Sequence, residues 1–182
     1  MVKIPEKTQK MKIKLDILKD LLKKNNIDGY IIPRNDETFL EYSLNNRLSS
    51  ITNFDGSAGF ALVLKHENYL FVDGRYTIQA KQQSGKKFKI HEIPYIWPKD
   101  ILKNNVPLNI GFDPKLFTSE TLKIYFNKSC NLIPINSNLF KTNVEIVNKH
   151  NLVYQIKTSI TGESSKSKIN RLKKILENEK ID

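Results

Sequence analysis

Residues 60–73, which read FALVLKHENYLFVD, contain two apolar runs of strand length separated by a short polar segment. The first run covers 60–65 and the second covers 69–73. The three residues between them, His66-Glu67-Asn68, have the length and polarity of a tight hairpin loop. This stretch therefore predicts an antiparallel pair of strands at the centre of the chain.

The segments on both sides of this hairpin alternate between helical and strand patterns. Within 8–26, apolar residues recur at helical spacing, at Met11, Leu15, Leu18 and Leu22. Further helices are predicted at 37–42, 75–84, 98–104 or 105, and 119–128, and further strands at 30–33, 88–93, 108–112 and 132–135. One hairpin among crossover units indicates an α/β fold, a three-layer α/β/α arrangement with a mixed sheet of five or six strands.

The strong positive charge of the chain does not by itself indicate a nucleic-acid partner. The formal net charge is +11 over 182 residues, with 26 Lys against 4 Arg. Lys, Asn and Ile together make up 67 residues and share A/T-rich codons, so base composition alone accounts for much of this excess. A protein that binds phosphates or guanines is expected to use more Arg, which binds them bidentately.

Cysteine usage and hydropathy restrict the compartment. Cys130 is the single cysteine, which excludes an internal disulfide framework and agrees with a reducing environment. The apolar runs last about five residues, whereas a membrane helix needs about 20. These features predict a soluble cytoplasmic chain with no membrane partner.

The end of the chain repeats its beginning. Residues 166–182 align with 12–28 at an offset of 154 and share seven identities, among them Leu18/Leu172 and Leu22/Leu176. This repeat predicts a first domain over 1–156, a linker over 157–167, and over 168–182 the opening helix of a second, similar domain. The alternative is that two helices rich in Lys, Leu and Ile resemble each other by composition.

No motif in the chain forms a self-sufficient active site. His66, His91 and His150 are not spaced as metal ligands, so no metal site is predicted. The Gly-rich segment 55–59 leads into a strand rather than a helix, which favours a tight turn over a phosphate loop.

Arg75, in the segment Asp73-Gly74-Arg75-Tyr76, is either part of a turn or presented at a domain or subunit boundary. Trp97 is a candidate contact anchor, with partial burial in the core as the alternative.

Several of these motifs, in order and spacing, resemble the N-terminal domain of aminopeptidase P, the creatinase/prolidase N-terminal domain of the Xaa-Pro aminopeptidases. The resemblance covers residues 10–156. It is carried by DGYIIP at 28–33, the pair Glu41-Tyr42, Arg47 through FDGSAG at 54–59, VDGRY at 72–76, Gln79-Ala80, Gln82-Gln83, and GFDP at 111–114.

The resemblance implies a sheet with a ribonuclease H-like motif and a non-catalytic role for this chain. In that family the peptidase activity belongs to a C-terminal domain that holds two divalent metal ions, and manganese is the expected metal. The chain itself is then expected to bind no cofactor, to pair with that catalytic domain, and to take part in a homodimer. By resemblance, six residues are candidates for interface or substrate-access roles: Phe54, Ser57, Asp73, Arg75, Tyr76 and Trp97.

Two other functions stay open at this stage. The chain is also compatible with a stand-alone interaction module produced by a split or degraded gene. A basic nucleic-acid-binding domain is the less favoured alternative.

Overall fold

The computed structural model describes residues 6–40, 46–103, 107–136, 139 and 156–180. The chain divides into two compact units, Met1–Val144 and Glu145–Asp182. The first unit contains the sheet and the candidate residues, and the described residues of the second, 156–180, form two helices. The predicted domain limits at 156 and 167 stay predictions.

Six strands form one mixed sheet, in the order β4-β3-β2-β1-β5-β6. Strand β2 is antiparallel to both of its neighbours, and the other pairs are parallel. The predicted hairpin is β2–β3, in which Phe60 lies opposite Phe71. The strands are β1 Gly29–Pro33, β2 Gly59–Leu64, β3 Asn68–Asp73, β4 Lys89–Ile93, β5 Asn109–Phe112 and β6 Asn131–Pro134. The mixed six-stranded sheet is therefore confirmed.

Helices cover both faces of this sheet and give the predicted three layers. On one face the core joins residues of α1, α2 and α3 to Tyr30, Ile32 and Val63. On the other face it joins residues of α5 and the end of α4 to Ile31, Phe60 and Leu62. The helices of the first unit are α1 Glu6–Lys24, α2 Arg47–Thr52, α3 Thr77–Ser84, α4 Pro98–Ile101 and α5 Ser119–Phe126, with a 3₁₀ turn at Gly74–Tyr76.

Local sequence signals explain several of these elements. Met11, Leu15, Leu18 and Leu22 are buried, at 0–4% exposure, as the spacing predicts for one face of α1. Thr118 caps α5, because its side chain accepts a hydrogen bond from the backbone N–H of Thr121. Both predictions are confirmed.

The polar segment between β1 and β2 differs from the prediction. Residues 37–40 form a turn followed by irregular chain rather than a helix, with Phe39 at φ +60°, and 41–42 lie outside the described residues. The Asp36 carboxylate accepts hydrogen bonds from the N–H groups of Thr38 (2.9 Å) and Leu40 (3.0 Å), which favours a turn over a helix. The helix begins instead at Arg47, where Asn46 Oδ1 caps the N–H of Ser49 at 2.8 Å.

The second unit contains more helix than the predicted linker implied. Residues 157–167 include α6 Thr158–Thr161 and the first turn of α7 Ser165–Asn178. Ser164 caps α7 through the N–H of Ser167, so this helix begins three residues before the predicted position. Along α7, Ile169, Leu172 and Ile175 stay half-exposed.

Asp28 joins three strands at the start of β1. Its carboxylate accepts hydrogen bonds from Lys65 Nζ at 2.6 Å and from the N–H of Asn109 at 2.9 Å. The bond from Lys65 lowers the pKa of Asp28 most, followed by the bond from the Asn109 backbone. Because the pKa of Asp28 is lower in the folded state, its ionised form stabilises the fold at pH values above its pKa in the unfolded chain, near 3.9. This contribution to the free energy of unfolding is lost as the pH falls through the pKa of the folded state.

We expect Asp28→Asn to lower the free energy of unfolding by about 1–2 kcal/mol at pH 7, because hydrogen bonds to a charged group are lost. The difference from wild type should shrink as the pH falls below about 4. Urea unfolding at pH 7 and pH 3 measures both values. A difference that stays constant between these pH values would contradict the role of the Asp28 charge.

Candidate functional site at the carboxyl edge of the sheet

The direction of the strands decides which of the candidate residues lie close together. β1, β3, β4, β5 and β6 run the same way, so their last residues lie at one edge of the sheet, called here the carboxyl edge. β2 runs in the opposite direction, so its first residue, Gly59, lies at this same edge. The loop 53–58 and the segment 73–76 therefore meet there.

Phe54 anchors the loop 53–58 in the core. Its side chain is fully buried, and its N–H donates to Thr52 Oγ1 at 3.0 Å. Gly56 lies against the ring, since a Cβ on this residue would be 2.2 Å from Phe54 Cζ. Gly59 has φ +150°, and a Cβ there would be 2.7 Å from the Phe71 carbonyl oxygen. The glycines at 56 and 59 are thus required for the loop to pack this closely, as the tight-turn interpretation predicted.

Tyr76 ties the loop to the segment that follows β3. Its hydroxyl lies 2.8 Å from Ser57 Oγ, within hydrogen-bond distance. Its ring meets the Phe54 ring edge to face, with centroids 5.8 Å apart. Phe54, Ser57 and Tyr76, which the family resemblance offered as candidates from two separate motifs, therefore form one connected group.

Asp55 makes a second connection that the sequence analysis did not identify. Its Oδ1 accepts hydrogen bonds from the side-chain amides of Gln79 (2.6 Å) and Gln83 (2.8 Å), one turn apart on α3. The side-chain oxygen Oε1 of Gln83 in turn accepts from the backbone N–H of Asp55 at 3.2 Å. The spacing of two Gln residues by four positions was visible in the sequence, but nothing local indicated their acceptor.

Asp73 and Arg75 form an ion pair at the end of β3. The carboxylate of Asp73 accepts from the Arg75 N–H at 2.9 Å and from Arg75 Nε at 2.8 Å. The Arg75 side-chain bond holds the pKa of Asp73 below its usual value, and the backbone bond adds to this. The Arg75 side chain remains 73% exposed and its guanidinium lies 5.5 Å from the centre of the Tyr76 ring. An oriented cation is therefore presented to solvent beside the loop.

Trp97 lies apart from this group. It belongs to the core on the other face of the sheet, where its ring stacks on Tyr125 with centroids 5.4 Å apart. Tyr125 in turn stacks on Phe60. Partial burial in the core, the alternative interpretation of Trp97, therefore describes its surroundings.

The remaining reactive side chains do not assemble into a site within the described ranges. There, no three His, Cys, Asp or Glu residues come together as metal ligands. Burial lowers the pKa of His91, and Lys89 adds to the effect. Burial raises the pKa of Cys130 to about 11, which keeps the thiol protonated. No helix in the same part of the chain is long and apolar enough to cross a membrane.

The model of the creatinase/prolidase N-terminal domain family matches residues 14–141, which is most of the chain. The chain belongs to this family. The resemblance seen in the motifs is thereby confirmed.

Relatives with this domain are named as Xaa-Pro aminopeptidases. The chain is 30% identical to a probable Xaa-Pro aminopeptidase P of Coprinopsis cinerea, over 91% of this chain and 29% of the relative. It is 33% identical to Xaa-Pro aminopeptidase 2 of Sus scrofa, over 61% of this chain and 17% of the relative. The chain thus spans less than a third of the length of these curated relatives.

Solved structures agree with the creatinase/prolidase N-terminal fold. X-prolyl aminopeptidase of Caenorhabditis elegans, described as a cytosolic enzyme with a di-nuclear active site, superposes with a TM-score of 0.62 at 25% identity, over 93% of this chain and 32% of that one. The N-terminal domain of a Corynebacterium diphtheriae putative metallopeptidase superposes with a TM-score of 0.54 at 18% identity, over 70% of this chain and 96% of that one.

Proposed function

We propose that this chain is the non-catalytic N-terminal domain of an Xaa-Pro aminopeptidase, which removes the N-terminal residue that precedes proline. The observation that carries the proposal is the family match over residues 14–141, together with relatives that are much longer than this chain. The peptidase reaction then takes place in a catalytic domain elsewhere in the parent protein.

The catalytic domain of the parent is proposed to hold a pair of divalent metal ions, with manganese as the expected metal. When bound, such a pair activates a water molecule for attack on the scissile carbonyl. The described residues of this chain do not fit a metal pair, because they bring no three ligating side chains together. The proposed contribution of this chain is therefore to position other parts of the parent.

Positioning is proposed to act through the carboxyl edge, by contacts in a homodimer and by shaping access to the catalytic domain. Three features support this role: Phe54 fixes the loop in the core, the Ser57–Tyr76 pair ties it to the 3₁₀ turn before α3, and Arg75 is held outward by Asp73. A fixed loop with an oriented cation suits recognition of a partner surface or of a peptide carboxylate.

The helix α7 supports the proposed second domain. Its half-exposed Ile169 and Leu172 align with Leu15 and Leu18 of α1, which are buried against the sheet. An apolar face on a helix of this length requires a partner, because such helices are marginal alone in water. We propose that α7 opens a second domain of the same fold, whose sheet covers this face.

The experiment has two parts. The isolated chain with added Mn²⁺ is expected to leave an Xaa-Pro peptide intact, and hydrolysis that a chelator abolishes would overturn the non-catalytic assignment.

In the full-length parent, Arg75→Ala is expected to lower kcat/KM for an Xaa-Pro peptide about 3- to 10-fold, on the scale of one lost charged contact. Lys86→Ala, in a polar loop at the opposite end of the sheet, is the matched control and should leave kcat/KM unchanged.

A further inference from the structure

A groove runs between α5 and β6, at a lateral edge of the sheet. Its volume is about 600 Å³, within the range of about 300–1,000 Å³ that is usual for small-molecule sites. One wall is a face of α5 from Ser119 to Phe126, which is about 11 Å long at the rise of an α-helix. The other wall is formed by the turn after α5 and the first residues of β6. We call this feature the α5–β6 groove, and its length suits an elongated ligand.

The floor of the α5–β6 groove is apolar. Leu122 and Phe126 lie one turn apart on α5 and are 8% and 1% exposed. Cys130 is buried and Leu132 of β6 is half-buried. The thiol of Cys130 is neutral, as described above, and acts here as a small apolar group. A ligand that fills the α5–β6 groove therefore needs an apolar body.

The charged side chains of the α5–β6 groove are both cationic. Lys123 on α5 and Lys128 in the turn after it line the groove and are exposed. Among the described residues, no carboxylate lines the groove, and neither lysine forms an ion pair. The polar lining residues Ser119, Asn127 and Asn131 are uncharged. Charge complementarity therefore selects a ligand with an anionic head group.

The outer edge of β6 is poorly suited to a further strand. The N–H groups of Asn131 and Ile135 donate to carbonyl oxygens on the β5 side, at 2.8 Å each. Because alternate residues of a strand face its neighbour, the outward positions are Leu132 and Pro134, and proline has no N–H. An added strand would find a single donor at this edge. A ligand that uses the side chains of the α5–β6 groove is therefore favoured over an extended peptide.

We propose that the α5–β6 groove binds an amphipathic anion, a carboxylate with an unbranched apolar chain. The chain lies along α5 over Leu122 and Phe126, where its burial is favourable. The carboxylate accepts charge-assisted hydrogen bonds from the ammonium groups of Lys123 and Lys128. This inference does not depend on the proposed function, because it involves no residue of the carboxyl edge and no peptidase step.

The test is calorimetric titration of the 182-residue chain with dodecanoate below its micelle concentration. We expect one dodecanoate to bind per chain, with at least about tenfold lower affinity in the variant Lys123→Gln/Lys128→Gln, the scale of one lost charge-assisted hydrogen bond. Lys86→Gln/Lys87→Gln removes the same charge beside β4, at the other lateral edge of the sheet. This matched control is expected to change the affinity less than twofold. Dodecyltrimethylammonium, which carries the same chain on a cation, is expected to bind at least about tenfold more weakly.

The single cysteine reports where the ligand binds. Because Cys130 lines the α5–β6 groove, dodecanoate that saturates the wild-type chain is expected to slow the alkylation of this thiol by N-ethylmaleimide at least about fivefold at pH 8. The same dodecanoate concentration should slow alkylation much less in Lys123→Gln/Lys128→Gln. Both lysines are exposed, so their replacement is not expected to unfold the domain, and circular dichroism of each variant checks this.

Several results would overturn the proposed site. These are the absence of dodecanoate binding to the wild-type chain, equal affinity in Lys123→Gln/Lys128→Gln, equal binding of the cationic surfactant, and binding of several dodecanoate molecules per chain. Unchanged alkylation of Cys130 with dodecanoate bound would also overturn it, because the ligand would then lie elsewhere. None of these results bears on the proposed function, which the peptidase assays test separately.

Discussion

Replacing Phe54 by alanine is expected to lower the free energy of unfolding by about 3–5 kcal/mol, the range found for buried aromatic residues. Three features place Phe54 in this range. The ring is fully buried, it meets the Tyr76 ring edge to face, and Gly56 packs directly against it. Because the loop 53–58 is built around this ring, neighbouring atoms have little freedom to close the cavity that its removal leaves.

Urea denaturation of the isolated chain, followed by circular dichroism, measures this loss. Tyr95→Ala is the matched control, since it also removes an aromatic ring but at a residue that is 78% exposed. We expect its effect to stay within about 0.5 kcal/mol. If the two variants were equally stable, Phe54 would not anchor the loop.

The second large effect concerns the ion pair between Glu37 and Arg47. The side chain of Arg47 is 6% exposed and that of Glu37 is 48% exposed, with Arg47 Nη2 donating to Glu37 Oε1. Arg47 Nε and Nη1 are buried and meet no acceptor among the described residues. Removal of the carboxylate therefore leaves a buried guanidinium without its counter-charge. This lowers the free energy of unfolding more than removal of the guanidinium itself does.

We expect Glu37→Ala to lower the free energy of unfolding by about 2–3 kcal/mol, below the 3–5 kcal/mol of a fully buried pair because Glu37 is half-exposed. Arg47→Met keeps most of the side-chain volume and is expected to stay within about 1 kcal/mol of wild type. The double variant should match Arg47→Met, since Glu37 then has no charge to compensate. Urea denaturation of the three variants completes the cycle, and a more severe loss in Arg47→Met than in Glu37→Ala would contradict this account.

Local patterns in the sequence were sufficient to predict most strands of the sheet and the helix α1. The apolar runs on both sides of 66–68 identified the β2–β3 hairpin, because a short polar segment between two such runs is typical of a hairpin loop. The stripe Met11, Leu15, Leu18 and Leu22 identified the buried face of α1, because helical period and burial coincide there. These signals lie within a few residues of the elements that they specify.

The missed features depend on contacts between distant segments. Helix α2 was not predicted, because its buried residues include Arg47 and Thr52, and polar residues at buried positions interrupt the apolar pattern of a helix. Asp55 is separated in sequence from Gln79 and Gln83 by 24 and 28 positions, and no local pattern predicts the hydrogen bonds between them. The face of the sheet on which Trp97 packs likewise follows from the path of the chain after β4, not from its neighbours in sequence.

The reversal of β2 has a consequence for how this site is inherited. Because β2 and β3 form a hairpin that starts and ends at the carboxyl edge, the connected group from Phe54 to Tyr76 comes from one uninterrupted segment of the chain. In a wholly parallel sheet, the same residues would be contributed by separate crossover units. A single exchange of residues 53–76 between relatives would therefore transfer the loop, the Asp73–Arg75 pair and the Ser57–Tyr76 bond together.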